Sequence, residues 1–235
     1  MIPVINASGL ADMAVIDWIA LILFFALWIG YARYHRFKSL RAASLMGTVH
    51  SYRHDWMRRV LQREHHIEDA AILANLSNSA TFFGSTTLLI LGGLLAMLGT
   101  KEKVVSVVSD LPFASKVPGM LWEVKIVLLI FIFIYAFFLF TWSLRQFNFC
   151  SILVGAAPRL VANTDEGERY ARRTGRLVAL AGNSFNNGLR AYYFALAALM
   201  WFMHPWLMIV ATAAVVVILY WREFRSETLR ALTDD

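Results

Sequence analysis

Long apolar runs separated by blocks of charge organise this chain. Five runs stand out: Val15–Tyr31, Ala70–Leu98, Val124–Phe140, Leu189–Met203 and Trp206–Trp221. A helix that crosses the hydrocarbon of a bilayer needs about 20 mainly apolar residues, with about 17 as the lower end. The first three runs meet that length directly or with their flanks. The last two come from one apolar stretch, Leu177 to Trp221, that is too long for one crossing and is split by His204 and Pro205. Proline lacks an N–H and pushes the residue before it out of helical geometry, so a tight helical hairpin is expected there. The pattern predicts an all-α fold, a polytopic transmembrane helical bundle, with residues 1–235 forming a single integral membrane domain. Crossings are expected near 13–33, 70–98, 121–145, 178–203 and 206–222, with a cytoplasmic helical segment over 39–69.

The charges give the bundle a direction. Cytoplasmic loops carry an excess of Lys and Arg. The segment between the first two runs holds Arg33, Arg36, Lys38, Arg41, Arg53, Arg58, Arg59 and Arg63. The segment between the third and fourth holds Arg145, Arg159, Arg169, Arg172, Arg173 and Arg176, and the tail adds Arg222, Arg225 and Arg230. The other connections carry only Lys101, Lys103, Lys116 and Lys125. This partition predicts the N-terminus outside and the C-terminus inside, which requires an odd number of crossings. Trp18, Trp122, Trp201 and Trp206 fall at the expected outer boundary and Trp142 and Trp221 at the inner one, as amphipathic rings at headgroup level would.

Composition agrees with a lipid solvent. The chain is 59% hydrophobic and 16% charged, against about 25% charged for a soluble domain. Its net charge of +6 is mainly arginine suited to an anionic inner leaflet, so no nucleic-acid partner is expected. The one cysteine, Cys150, excludes an internal disulfide and reads as a packing residue. The first run has no basic region before it and no evident cleavage site behind it, so it reads as a retained helix. In the first basic segment, Leu45, Val49, Trp56, Val60 and Leu61 interleave with basic residues. That pattern suits a helix lying under the membrane surface or an extension of the flanking helices. Thr100–Gly119, with Pro112 and Pro118, reads as a short exposed connection with an amphipathic turn at 103–111.

Two of the runs carry polar stripes. The second holds Asn75, Ser77, Asn78, Ser79, Thr81, Ser85, Thr86 and Thr87; at helical spacing Asn75 and Asn78 or Ser79 share a face that suits protein or water better than lipid. The fourth supplies Asn183, Ser184, Asn186, Asn187 and Arg190. Arg190 stands 13 residues before Met203, about 20 Å at 1.5 Å per residue. That depth lies below the midplane, toward the basic side. Ionisable groups at such depth mark functional sites. Two readings stay open: Arg190 snorkels to the inner headgroups while the asparagines bond helix to helix, or these groups line a hydrated pocket for an anion. Asp17 and Glu123 lie near the outer boundary and Asp69 near the inner one, so no acidic residue is expected at the depth of Arg190.

Other chemistry finds little support. His50, His54 and Asp55, followed by Glu64, His65, His66 and Asp69, sketch a divalent-metal site, but no HExxH pattern occurs and arginines surround the group. A solvated face is the better reading, and no metal or cofactor is expected. His204 is the one histidine placed beside a crossing, which disfavours haem. No GxSxG elbow or phosphate-binding glycine loop is present, and Gly92-Gly93 suits close helix packing. Paired carboxylates near a boundary are limited to Glu68 with Asp69 and to Asp165 with Glu166 and Glu168, so catalysis is disfavoured.

Several stretches together resemble the bacterial and plant membrane-protein family catalogued as domain of unknown function 599. They are Arg53 through Trp56; Asn78-Ser79-Ala80-Thr81-Phe82-Phe83 with Ser85-Thr86; Gln146-Phe147-Asn148-Phe149-Cys150; and the run from Phe185 to Phe194 that contains Asn186, Asn187 and Arg190, with Trp201. The resemblance spans almost the whole chain. It implies an integral membrane protein, adds Gln146, Asn148 and Cys150 at the inner end of the third helix, and implies no activity. His65 and His66 lie outside its pattern.

The expectation is therefore a multi-pass protein of a bacterial inner membrane, with the lipid bilayer as its first partner. Its polar pocket, formed between the second, third and fourth crossings, binds or conducts an anionic solute or lipid headgroup. The expected site residues are Arg190, Asn183, Asn186, Asn187, Asn75, Asn78, Ser79, Gln146 and Asn148. A noncatalytic accessory or scaffold subunit of a larger complex, a homo-oligomer, and a lipid-modifying enzyme using groups near Asp69 or His54 remain as alternatives.

Overall fold

The structure, a computed structural model, describes residues 14–38, 44–99, 119–158 and 164–233. The described residues form helices α1 (Val15–Lys38), α2 (Leu45–Val60), α3 (Ile67–Gly99), α4 (Gly119–Gly155), α5 (Asp165–Leu199), α6 (Pro205–Phe224) and α7 (Glu227–Thr233). A 3-10 turn, Met200–Phe202, joins α5 to α6. No strand occurs among the described residues. Residues 100–118 of the exposed connection expected over Thr100–Gly119, and residues 39–43 of the cytoplasmic segment, lie outside them; Gly119 opens α4.

Local chemistry sets the helix ends. Ser44 caps α2 by accepting from the Gly47 N–H, and Thr164 caps α5 by accepting from the Gly167 N–H. Asp165, Glu166 and Glu168 sit in the first turn of α5, where carboxylates meet the positive end of the helix dipole. Pro205 occupies the first turn of α6, and His204 caps that helix by accepting from the Trp206 N–H at 3.2 Å. The break expected at His204–Pro205 therefore has a cap as well as a proline.

Four helical segments are long and apolar enough to cross a membrane: Val15–His35, Ile67–Gly99, Leu121–Gly155 and Pro205–Thr233. The fifth expected crossing, 178–203, covers the second half of α5 and the 3-10 turn after it, and that half of α5 carries Asn183, Ser184, Asn186, Asn187 and Arg190. Its position explains its composition. α5 is the hub of the bundle, packed on α4 along much of its length, on α2 through its first half and on α6 near its end, while α1 leans on α6 and α3 on α4. Where it meets these neighbours α5 carries small residues that let the helices approach closely, and Ala191, Ala195, Ala197 and Ala198 are all buried.

Aromatic rings fill the core. Phe140 is fully buried, stacks on Phe83 at 5.4 Å and meets Phe185 and Tyr192 edge-on at 5.6 and 5.7 Å. It fits because α5 presents glycine to it: a Cβ at Gly188 would come within 2.6 Å of the Phe140 ring. Close packing of this kind joins α3, α4 and α5.

Each end of the bundle has a polar clamp. At one end the Trp201 indole N–H donates to Asp17 at 2.7 Å, and the Lys125 ammonium donates to the Trp201 carbonyl at 2.8 Å. Trp201 and Trp122 are buried, whereas Trp18, Trp206, Trp142 and Trp221 are exposed. Burial of Trp201 and Trp122 sets them apart from the other four, whose rings are open to the surroundings. At the other end, α2 is a separate helix and not an extension of its neighbours. Asp69, fully buried, accepts from the Trp56 indole and the Arg63 guanidinium, both at 2.7 Å. His54 and Arg58 reach Glu168 at 3.1 and 3.2 Å. α2 crosses α5 at Gly175, where an added Cβ would stand 3.1 Å from the His54 Cα. Cys150 is buried in the apolar cluster beneath α2.

Candidate functional site

α2 cannot lie flush against α1 and α5 along its whole length, and the space left is a cavity of about 920 Å³. Its walls come from the last turns of α1, the exposed side of α2, one face of α5 and Tyr135 of α4. Arg172, Arg176, Asn183, Asn187 and Arg190 follow one another on α5 at spacings of four, seven, four and three, so a single helix face delivers them to the cavity. Arg53, His50 and His54 arrive from α2 and His35 from α1. Four arginines thus line the space, and no acidic residue does among the described residues. Trp28 and Phe194, stacked at 5.0 Å, close one end of it with Tyr31.

Two of the arginines differ in their supports. Arg190 is held: its guanidinium donates to Asn187 Oδ1 at 3.2 Å, lies 2.8 Å from His35 Nε2 and stands 3.9 Å from Glu223. A guanidinium only donates, so in that contact the His35 ring nitrogen is the acceptor. Glu223 Oε1, 3.3 Å from the same nitrogen, takes its hydrogen bond from the Met46 N–H at 3.1 Å. Arg190 therefore has a carboxylate neighbour after all, supplied from α6. The expected lack of one followed from treating Glu223 as tail, whereas α6 continues helically to Phe224. His35 was likewise passed over, because the first crossing was expected to stop at 33 while α1 runs on to Lys38.

Arg53 is the opposite case. Its half-buried guanidinium has no hydrogen-bond acceptor and no carboxylate among the described residues, and it lies across Gly182, whose absent Cβ would come within 2.5 Å of Nη2. Burial lowers its pKa from the usual arginine value, yet a guanidinium stays charged in a protein. His50 is pushed below its ordinary value of 6.5, first by burial and then by the charges of Arg53 and His54. An unpaired guanidinium with its fork of donors pointing into a cavity is suited to a carboxylate or phosphate oxygen pair.

The structure gathers Arg190, Asn183, Asn186 and Asn187 around the cavity, Asn186 also touching Met46 Sδ at 3.0 Å. Gln146 lies behind the wall, buried, and accepts from Ser184 at 3.0 Å. Asn148 is exposed on the far side of α4 beside Arg145. Asn75, Asn78 and Ser79 also lie elsewhere, exposed on the outward face of α3, because α4 stands between α3 and the cavity. The cavity thus lies among α1, α2 and α5, not among the second, third and fourth crossings. Arg53, Arg172, Arg176, His35 and His50 were missed as site residues. The α5 arginines were legible as a continuation of the Asn183–Arg190 stripe toward the N-terminus, and Gly182 was the sequence trace of the space Arg53 needs.

Together these features define an all-helical protein with four segments long and apolar enough to cross a membrane and a cationic cavity at one end of its bundle. Residues 19–228 match the family described as Protein of unknown function, DUF599, and the chain belongs to that family. No curated protein and no solved structure matches it.

Proposed function

We propose that this is a multi-pass protein of a bacterial inner membrane that binds or passes a small anionic species through the cavity between α1, α2 and α5. In this reading α5 is a fifth crossing shielded by its neighbours, the N-terminus is outside and the arginine-rich end faces the cytoplasm. The observation that carries it is the cavity wall of Arg53, Arg172, Arg176 and Arg190 without a carboxylate among its described residues. Arg53 would supply the unpaired donors, Arg190 a fixed charge oriented by Asn187 and His35, and the α5 asparagines neutral hydrogen bonds. The direct test is calorimetric titration of the purified protein with sulfate and phosphate, alongside anion flux into proteoliposomes. Loss of both signals in Arg53→Gln and Arg190→Gln is expected; unchanged binding and flux in both variants would refute the proposal.

A second reading, a subunit of a homo-oligomer or larger complex, draws on the outward face of α3. Ser79 and Thr81 donate to carbonyls of their own helix, at 3.0 Å each, but Asn75 and Asn78 are exposed and their amides have no partner among the described residues. Amides facing hydrocarbon are costly, and a neighbouring helix would cover them. Oxidative cross-linking of Asn78→Cys in native membranes reports on this, since Cys150 is buried. A dimer or a mixed adduct supports the reading, and a monomer alone at full oxidation rejects it.

A further inference from the structure

The cavity does not end at its polar wall. A second, apolar groove of about 540 Å³ runs along the bundle between α1 and α4 and shares Trp28, Ala32 and Tyr135 with the cavity. Beyond those three its lining is Phe25, Ile29, Leu128, Phe131 and Ile132, with Arg33 at its edge. The groove is left because α1 packs mainly on α6 and only lightly on α4. Rings stand where the two spaces join, the Trp28 ring 5.0 Å from Phe194 and 6.0 Å from Tyr135. Both walls belong to segments apolar enough to span a membrane, Val15–His35 and Leu121–Gly155, so the groove opens sideways at hydrocarbon depth while the arginines sit at its end. A free anion would need the cationic cavity only. It would gain nothing from an apolar channel leading out of it.

We propose that the natural occupant is an anionic phospholipid, its phosphate held by Arg53 with Arg190, and one acyl chain lying in the groove between α1 and α4. This rests on the anion-binding reading above and narrows it to one class of ligand. Charge complementarity selects the headgroup: with four arginines and no carboxylate among the described lining residues, a phosphate without a compensating ammonium fits better than a zwitterion. Continuity selects the tail. Trp28 and Tyr135, common to both spaces, stand where the glycerol backbone would pass, and their amphipathic rings suit that boundary.

The test uses the full chain in detergent micelles, with binding read by native mass spectrometry and by displacement of a fluorescent phosphatidylglycerol. The probes are phosphatidylglycerol, phosphatidylcholine, diacylglycerol and inorganic phosphate. Phosphatidylglycerol is expected to bind at least tenfold more tightly than any of the others. Arg53→Gln should weaken it at least tenfold. Ile29→Trp, which fills the groove from its lipid-facing side without adding or removing charge, should weaken phosphatidylglycerol at least tenfold and phosphate much less. Both variants are first checked for an unchanged elution profile and melting temperature, and Leu128→Phe replaces Ile29→Trp if that variant fails to fold. Equal weakening of lipid and phosphate by Arg53→Gln, with no effect of filling the groove, would overturn the lipid proposal while leaving the anion site standing. No binding of lipid or phosphate that depends on Arg53 or Arg190 would overturn both.

Discussion

Asp69 offers the sharpest test of how the helices are joined. The sequence allows it a catalytic part, whereas the structure makes it a bracket between α2 and α3. Its side chain is fully buried, and one oxygen, Oδ1, receives both the Trp56 indole and the Arg63 guanidinium at 2.7 Å. Removing it by Asp69→Ala deletes two charge-assisted bonds, each worth about 1.5–3 kcal/mol. The Arg63 share must be discounted, since that side chain is 36% exposed and water replaces its partner at little cost. The indole has no such recourse. Loss of a carboxylate from the first turn of α3 adds about 0.3–1 kcal/mol. The sum is about 3 kcal/mol, or a fall of about 6–12 °C at roughly 2–4 °C per kcal/mol for a chain of this size. Asp69→Asn keeps an acceptor for the indole and should lose about half as much. Fluorescence-detected size exclusion of a fusion protein heated in detergent measures both apparent midpoints. A shift below 2 °C for Asp69→Ala, or an equal shift for the two variants, would refute the bracket.

Three further expectations can be checked in the same preparations. Gly175→Val should force α2 off α5, because the added atoms meet the His54 backbone at 3.1 Å, and should cost more stability than Gly182→Ala, which displaces only the end of the Arg53 side chain; equal losses would contradict the helix crossing. His50, with its pKa depressed by burial and by Arg53 and His54, binds fewer protons folded than unfolded, so its contribution to stability is full above about 6.5 and is lost as pH falls toward its lowered value. Bound sulfate favours the charged ring, so sulfate should stabilise the protein more at pH 5.5 than at 7.5, and His50→Gln should flatten that difference in melting temperature. Trp201→Phe leaves Asp17 buried without its 2.7 Å donor and should cost about 2–4 kcal/mol with the lost packing; a melting temperature within 2 °C of the parent would count against that clamp.

The helices themselves were legible in the sequence. Runs of about 20 apolar residues permit little else, Pro205 marks a break wherever it is met, and the pattern of Asn183, Asn187 and Arg190 is a helix face by spacing alone. The family likewise follows from residues in order along the chain. What period and composition do not contain is which faces meet. The stripes on α3 and α5 look alike as strings, yet α4 intervenes, and one is left on the outside while the other walls a cavity. Arg53 belongs to the site because Gly182 gives its guanidinium room, a relation between residues 129 positions apart. Glu223 stands beside Arg190 only because α6 folds back along α5. Helix formation depends on neighbours along the chain and is written locally, whereas charge pairing and cavity shape depend on distances through space, which only the packing of the bundle fixes.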